Sequence, residues 1–114
     1  MGDPLVLSEA FIQALNRGQF AQAIAQCDDS VQANLPLVEL VSFWKRLVAK
    51  VGRLKSYDPP KVTTDDARPM YRIYLIDCRF ERGCYTIHLW FNEAALISGM
   101  VIGPLGSTPQ SAPS

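Results

Sequence analysis

The first half of the chain places its apolar residues at the spacing of three helices, each with one buried side. The first predicted helix carries Leu7, Ala10, Phe11, Ala14 and Leu15 and stops at Gly18. The second is short and interrupted; its apolar positions are Phe20, Ala23, Ile24, Cys27, Val31 and Leu35. The third begins at Pro36 and ends at Gly52, with a continuous stripe formed by Leu37, Leu40, Val41, Trp44, Leu47, Val48 and Val51.

After Gly52 the helical spacing gives way to the alternation that is typical of strands. Two short extended pieces, 54–57 and 61–64, flank Pro59 and Pro60, which mark a sheet edge or a bend because proline donates no ladder hydrogen bond. A loop over 65–69 leads to three longer strands, predicted at 70–80, 85–91 and 96–102. We therefore expect one α+β domain over residues 1–104, with 105–114 as a disordered tail or linker.

The alternation also predicts which faces of the central hairpin meet. One strand has an apolar face made of Tyr74, Ile76, Cys78 and Phe80, and the next has one made of Tyr85, Ile87, Leu89 and Phe91. Both sets should pack on the helices, because a one-residue slip would expose one of them to water. Gly83 is expected to supply a positive φ to the turn, and a three-residue loop with a bulge is the alternative.

The opposite face of this hairpin holds the candidates for chemistry and for association. Asp77 is predicted to lie across from His88, where a carboxylate could orient an imidazole as a general base. The simpler interpretation is a surface ion pair of small energetic value. An apolar patch on the same face, expected to form a homodimer interface, consists of Tyr71, Ile73, Leu75 and Trp90.

The composition indicates a folded chain without a polyelectrolyte partner. Its 114 residues are 48% hydrophobic and 19% charged, and eleven basic residues balance eleven acidic ones. This balance argues against nucleic acid or an anionic membrane as a partner. No apolar run reaches the roughly 18 residues of a membrane span, and no secretory leader precedes the first helix. We expect a cytoplasmic protein, or an extracytoplasmic one if a leader has been removed.

The cysteines do not suggest a disulfide framework or a metal site. Cys27, Cys78 and Cys84 cannot all pair, no CxxC is present, and His88 is the only histidine. We expect buried thiols, no metal and no cofactor. Cys84, beside Arg82 at a turn, is the thiol more open to redox chemistry.

Several sequence stretches resemble one bacterial family. They are Gly52 to Tyr57, Cys78 to Gly83, the helix centred on Trp44 and the closing hairpin from Phe91 to Gly99. They resemble unknown-function family 3887 of the nuclear transport factor 2-like superfamily, over about residues 7 to 104. The resemblance implies a cone of three helices packed on a curved antiparallel sheet, frequent dimers and, in some relatives, a position beside an α/β-hydrolase domain. It implies no catalytic residue.

Two classes of function follow. The first is a non-catalytic binding or assembly domain that holds a small apolar ligand inside the cone, where Trp44, Tyr74 and Tyr85 are candidate contacts, or a partner protein on the sheet. The simpler interpretation of these aromatic residues is that they belong to the core. The second class is a small pocket enzyme of isomerase or hydrolase type, or an accessory domain of an α/β hydrolase. An enzyme would need polar groups converging on an open cavity, and we find no acidic residue on the inner face to form such a pair.

Overall fold

The computed structural model describes residues 3–34, 37–65 and 67–106. Four helices occupy the first half of the chain: α1 (Pro4–Asn16), α2 (Phe20–Ala25), α3 (Asp29–Asn34) and α4 (Leu37–Val51). The first helix begins three residues earlier than predicted, because the Leu5 N–H donates to Asp3 Oδ1 at 3.0 Å and proline is tolerated at the first helical position. The predicted second helix is two helices, and Asp28 caps the second of them by accepting from the Val31 N–H.

Five antiparallel strands form the second half: β1 (Leu54–Tyr57), β2 (Lys61–Asp65), β3 (Arg68–Phe80), β4 (Gly83–Phe91) and β5 (Ile97–Pro104). The path β1-β3-β4-β5 is open, and β2 pairs with β3 beside β1. The predicted α+β class is thus confirmed. The predicted loop over 65–69 is largely strand, because β2 extends to Asp65 and β3 already begins at Arg68.

The register of the central hairpin gives the molecule its core. Ile76 lies opposite Ile87 and Tyr74 opposite Leu89, so both apolar faces share the helix side as predicted. Ile76, Ile87 and Leu89 are fully buried against α1 and α4 residues such as Leu40 in a single cluster. Burial of this apolar surface is the main term that stabilises the fold.

Two glycines allow α4 to lie tightly against the β3–β4 hairpin. Gly52, just after α4, has φ +88°, and a Cβ there would lie 2.5 Å from the Glu81 Cβ. At Gly83 the expectation of a positive φ is wrong. The hairpin turns through two residues with Phe80 opposite Gly83, and the glycine serves close packing, because an added Cβ would approach Val51 Cγ1 to 3.3 Å.

The connection between α2 and α3 attaches the helical layer to β5. The Ile97 N–H donates to the Gln26 carbonyl at 2.9 Å, and the Asp28 N–H donates to the Ile97 carbonyl at 2.8 Å. This parallel bridge covers the start of the β5 edge. The remainder of β5 lies at the end of the strand path.

The predicted tail and the predicted absence of a membrane span can be compared with the described residues only. Most of the predicted tail, residues 107–114, lies outside the described residues, so its disorder stays a prediction. Within the described ranges, no helix is long and apolar enough to cross a membrane.

Candidate functional site

The outer face of the sheet, opposite the helices, contains a polar network centred on Thr86. Thr86 lies directly opposite Asp77, and its hydroxyl donates to Asp77 Oδ1 at 2.7 Å. The same hydroxyl oxygen accepts from the Gly106 N–H at 3.0 Å, where the chain turns back after β5. Lys61 Nζ lies 3.9 Å from Asp77 Oδ2. The carboxylate of Asp77 is thus engaged by two neighbours on its own face.

His88 does not pair with Asp77 as the sequence predicted. It lies opposite Leu75, two residues further along the hairpin, because the turn contains two residues only. The side chain is buried, and its ring centroid is 6.2 Å from that of Trp90. Burial lowers the pKa of His88, and the Asp77 charge raises it by less, so the net shift is downward.

The predicted interface patch is largely covered in a single chain. Ile73 and Trp90 are each 1% exposed, and Tyr71 and Leu75 are half-buried. The Trp90 indole reaches across β3, and its Nε1–H donates to the buried Asp65 Oδ2 at 3.2 Å. The premise that all four side chains form an exposed patch is therefore wrong, because Trp90 and β2 occupy this part of the face. Their role in an interface stays a prediction.

Aromatic side chains cluster on the helix side of the sheet. Tyr74 packs edge-on against Phe91 with ring centroids 5.2 Å apart, and Phe80 lies 5.8 Å from Trp44 and 6.1 Å from Tyr85. Trp44 and Tyr74 are buried, and Tyr85 is half-buried. Of these three predicted ligand contacts, the structure places Trp44 beside an opening, which is described below. A ligand role for any of them stays a prediction.

Two of the three thiols are buried. Burial raises the pKa of Cys27 to about 12, with a smaller contribution from Asp28, and it raises the pKa of Cys78 to about 12, with smaller contributions from Asp77 and Asp58. Neither is a thiolate near neutral pH, so neither is a ready nucleophile. Cys84 is exposed at the start of β4, opposite Arg79. Residues 3–34, 37–65 and 67–106 contain no group of three or more residues suited to hold a metal ion.

An open groove lies between α4 and the inner face of β5, and we call it the α4–β5 groove. It has a volume of about 950 Å³, and its lining comprises Glu39, Ser42, Phe43, Lys45, Arg46, Met100, Val101 and Ile102. Four of the helical residues recur at i, i+3, i+4 and i+7, which places them on one side of α4. This side is not the buried stripe that carries Leu40 and Trp44.

The groove exists because the helices leave the inner face of β5 partly uncovered. Met100 lies opposite Leu89 and Ile102 opposite Ile87, so both point to the helix side. Their partners on β4 are fully buried, whereas Met100 and Ile102 are half-buried. Phe43 on α4 is half-buried as well. These three apolar side chains are therefore available to a ligand without any rearrangement of the core.

Three apolar residues in the sequence indicate the groove by their positions: Phe43, Met100 and Ile102. Phe43 is a large aromatic residue that departs from the buried stripe of the third predicted helix. Met100 and Ile102 continue the inward alternation of the last strand to the end of the domain, where fewer helical residues remain to cover them. Lys45 and Arg46 also lie on the lining.

Comparison with known proteins identifies a family but no function. A family model described as "Protein of unknown function (DUF3887)" matches residues 8–100. No curated protein and no solved structure matches the chain at a significant level.

Proposed function

We propose that the chain, which belongs to the DUF3887 family of proteins of unknown function, is a non-catalytic binding domain that holds a small apolar or amphipathic molecule in the α4–β5 groove. The observation that carries the proposal is the set of half-exposed apolar side chains, Phe43, Met100 and Ile102, that face one groove. Apolar side chains that cluster in a groove with polar residues at its rim are typical of a surface that contacts another molecule.

The size and polarity of the groove favour an amphipathic ligand. Its volume of about 950 Å³ lies at the upper end of the range for small-molecule sites. Removing apolar surface from water is worth about 25 cal/mol per Å², so an apolar body gains most against the three side chains. Lys45 and Arg46 outnumber Glu39 on the lining, and a ligand with an anionic or polar end would complement this balance.

The chemistry of the lining favours binding over catalysis. Among the described lining residues there is no histidine, no cysteine and no buried carboxylate, and Glu39 is exposed. A general acid or base usually lies in a buried position within the site, whereas Glu39 is exposed. A small pocket enzyme, or an accessory domain of an α/β hydrolase, is therefore the alternative function.

The finer fold assignment and the dimer belong to the same proposal. Helices that precede a curved open sheet, with β2 folded beside β1 on β3, support a place in the nuclear transport factor 2-like superfamily. A homodimer is expected from the resemblance to that superfamily. Exposed apolar side chains such as Val38, at 74%, and Val101, at 39%, would suit contact with a second copy.

The test is a titration with the uncharged fluorescent probe 1-N-phenylnaphthylamine, followed by displacement with decanoate. The probe should brighten on binding, and decanoate should displace it. Phe43→Ser should weaken probe binding roughly 5- to 30-fold, because it removes an apolar contact worth about 1–2 kcal/mol. Arg46→Glu should weaken decanoate more than the uncharged probe.

Val38→Ser is the matched control, because Val38 is an exposed apolar residue of α4 outside the groove lining. It should bind the probe like the wild type. Equal affinities for wild type and Phe43→Ser, with both melting normally, would refute the proposal. Loss of affinity in Val38→Ser as large as in Phe43→Ser would refute it too, because binding would then be unspecific.

A further inference from the structure

A second and smaller pocket lies on the other side of α4, where α1 ends and α2 begins. Its volume is about 260 Å³, which is the space of about nine waters at roughly 30 Å³ each. We call it the Trp44 pocket. Its lining includes Leu15, Phe20, Trp44, Lys45, Val48 and Arg53. It shares Lys45 with the α4–β5 groove and no other described residue.

The apolar part of the Trp44 pocket is held firmly by the core. Leu15 is 1% exposed and Trp44 is 4% exposed, and Trp44 also packs against Phe80 on its core side. Phe20 and Val48 are half-buried and complete the apolar part of the lining. A compact apolar group bound here would contact two aromatic side chains, of which the half-buried Phe20 offers more accessible surface than Trp44.

The charged part of the pocket is cationic. Lys45 and Arg53 are both exposed, and neither takes part in an ion pair within the described part of the chain. No carboxylate is found among the described lining residues. Two cations beside an apolar wall can bind a carboxylate, to which a guanidinium can donate two parallel hydrogen bonds.

The end of α1 beside the pocket does not cancel this charge. A helix C-terminus carries roughly half a negative charge on its free carbonyls. Here the N–H groups of Arg17, Gly18 and Gln19 donate to the carbonyls of Gln13, Leu15 and Ala14, at 2.9, 3.2 and 2.8 Å. Three carbonyls at the end of α1 are thus hydrogen-bonded. The electrostatic potential of the pocket is therefore dominated by the full positive charges of Lys45 and Arg53.

We propose that the Trp44 pocket is a second binding site, for a compact acid that combines an aromatic or branched apolar body with one carboxylate. The body packs against Trp44, Phe20 and Val48, and the carboxylate binds Arg53 and Lys45. Apart from Lys45 its described lining residues differ from those of the α4–β5 groove, and it takes a shorter ligand, because its volume is about 260 Å³ against about 950 Å³.

The test uses the intact chain and the indole signals of its two tryptophans in ¹H–¹⁵N NMR spectra. Phenylacetate should shift the Trp44 indole signal in a saturable way and leave that of Trp90, on the outer sheet face, unchanged. Trp90→Phe assigns the two signals. Phenylacetamide, the neutral analogue of the same shape, should bind at least about tenfold more weakly, because it offers no charge to the two cations.

Two arginine variants separate the pockets. Arg53→Gln should weaken phenylacetate binding at least about fivefold, because Arg53 is exposed and contributes to this pocket alone. Arg46→Gln, a variant of the groove, should leave it unchanged. A Trp44 signal that does not move at millimolar phenylacetate overturns the proposal. Equal binding of phenylacetamide, or equal binding by Arg53→Gln, overturns it as well. None of these outcomes bears on probe binding at Phe43.

Discussion

Thr86 and Asp77 face each other across the β3–β4 hairpin, with 2.7 Å between Thr86 Oγ1 and Asp77 Oδ1. The sequence had placed His88 in that position. The difference is two residues of register, which leaves every side chain on its predicted face but changes every cross-strand partner. The short turn through Glu81 and Arg82 is the cause, because it brings Gly83 opposite Phe80.

The titration of His88 tests this register. Burial disfavours the imidazolium, so the pKa of His88 should lie below the ordinary value of about 6.5. Asp77 favours the charged form, and Asp77→Asn should lower this pKa further. An NMR titration of this single imidazole measures both, and a wild-type value above 6.5 would contradict the structure.

The same shift has a consequence for stability. Below about pH 6.5 the unfolded chain protonates its histidine, while the folded chain resists protonation. The free energy of unfolding should therefore fall as the pH drops from about 6.5 through the folded pKa of His88. The replacement His88→Phe, which cannot titrate, should flatten this part of a urea-denaturation pH profile. An unchanged slope would show that burial does not perturb His88.

The junction between α4 and β1 should be the most sensitive glycine site. Gly52→Ala imposes a positive φ on alanine and forces a Cβ to within 2.5 Å of Glu81 Cβ, so it should cost about 2–4 kcal/mol. Gly106→Ala imposes a similar φ of +78° but meets nothing within 4 Å, and should cost about 1 kcal/mol. Chemical denaturation gives the free energy of unfolding of both variants. The difference between them measures the cost of crowding at Gly52, because both variants carry the backbone strain. Equal losses would contradict the close approach of Glu81.

The buried contact between Asp65 and Trp90 should contribute more than an exposed ion pair. Asp65→Ala leaves the Trp90 indole N–H without its acceptor in a buried position, which costs about 1–3 kcal/mol. Asp58→Ala removes the ion pair with Arg79, 2.7 Å long but exposed, and should cost much less. Thermal melts should show a larger drop in melting temperature for Asp65→Ala than for Asp58→Ala. A larger drop for Asp58→Ala would refute the buried contact.

Self-association needs a test that does not depend on Ile73. Ile73→Lys buries a charge in a position that is 1% exposed, so this variant should lose stability by several kcal/mol instead of reporting on an interface. The mass of the wild-type chain by light scattering, over a range of concentrations, tests the expected homodimer directly. A monomer mass at the highest concentration would contradict it.

The sequence predicted the fold well where one periodicity dominated. The stripe through Leu40 and Trp44 predicted the end of α4 to within one residue, and the alternation through Ile76 and Ile87 predicted the inner face of the sheet. The register failed because it depends on a turn whose length the alternation does not specify. The covered outer face was missed because Trp90 and Asp65 meet over a separation of 25 residues, which no local pattern indicates.

The candidate groove was missed for a related reason. A binding surface arises where the helices leave part of a sheet face uncovered. The apolar pattern along a strand does not show how much of that strand the helices cover. Met100 and Ile102 looked like ordinary apolar residues of a core, and the position of Phe43 outside the buried stripe did not show what it faces. Only their incomplete burial in the folded chain distinguishes them from Leu89 and Ile87.

Mapping the bound decanoate by ¹H–¹⁵N NMR tests the central claim most directly. Saturating decanoate should shift the backbone signals of Phe43, Arg46 and residues 100–102, and leave those of Tyr74 and Trp90 in place. At a decanoate concentration that half-saturates the wild type, the signals of Phe43→Ser should shift several-fold less. Shifts centred on the outer face around Trp90, or no shift at all at millimolar decanoate, would contradict the assignment of the α4–β5 groove as the binding site.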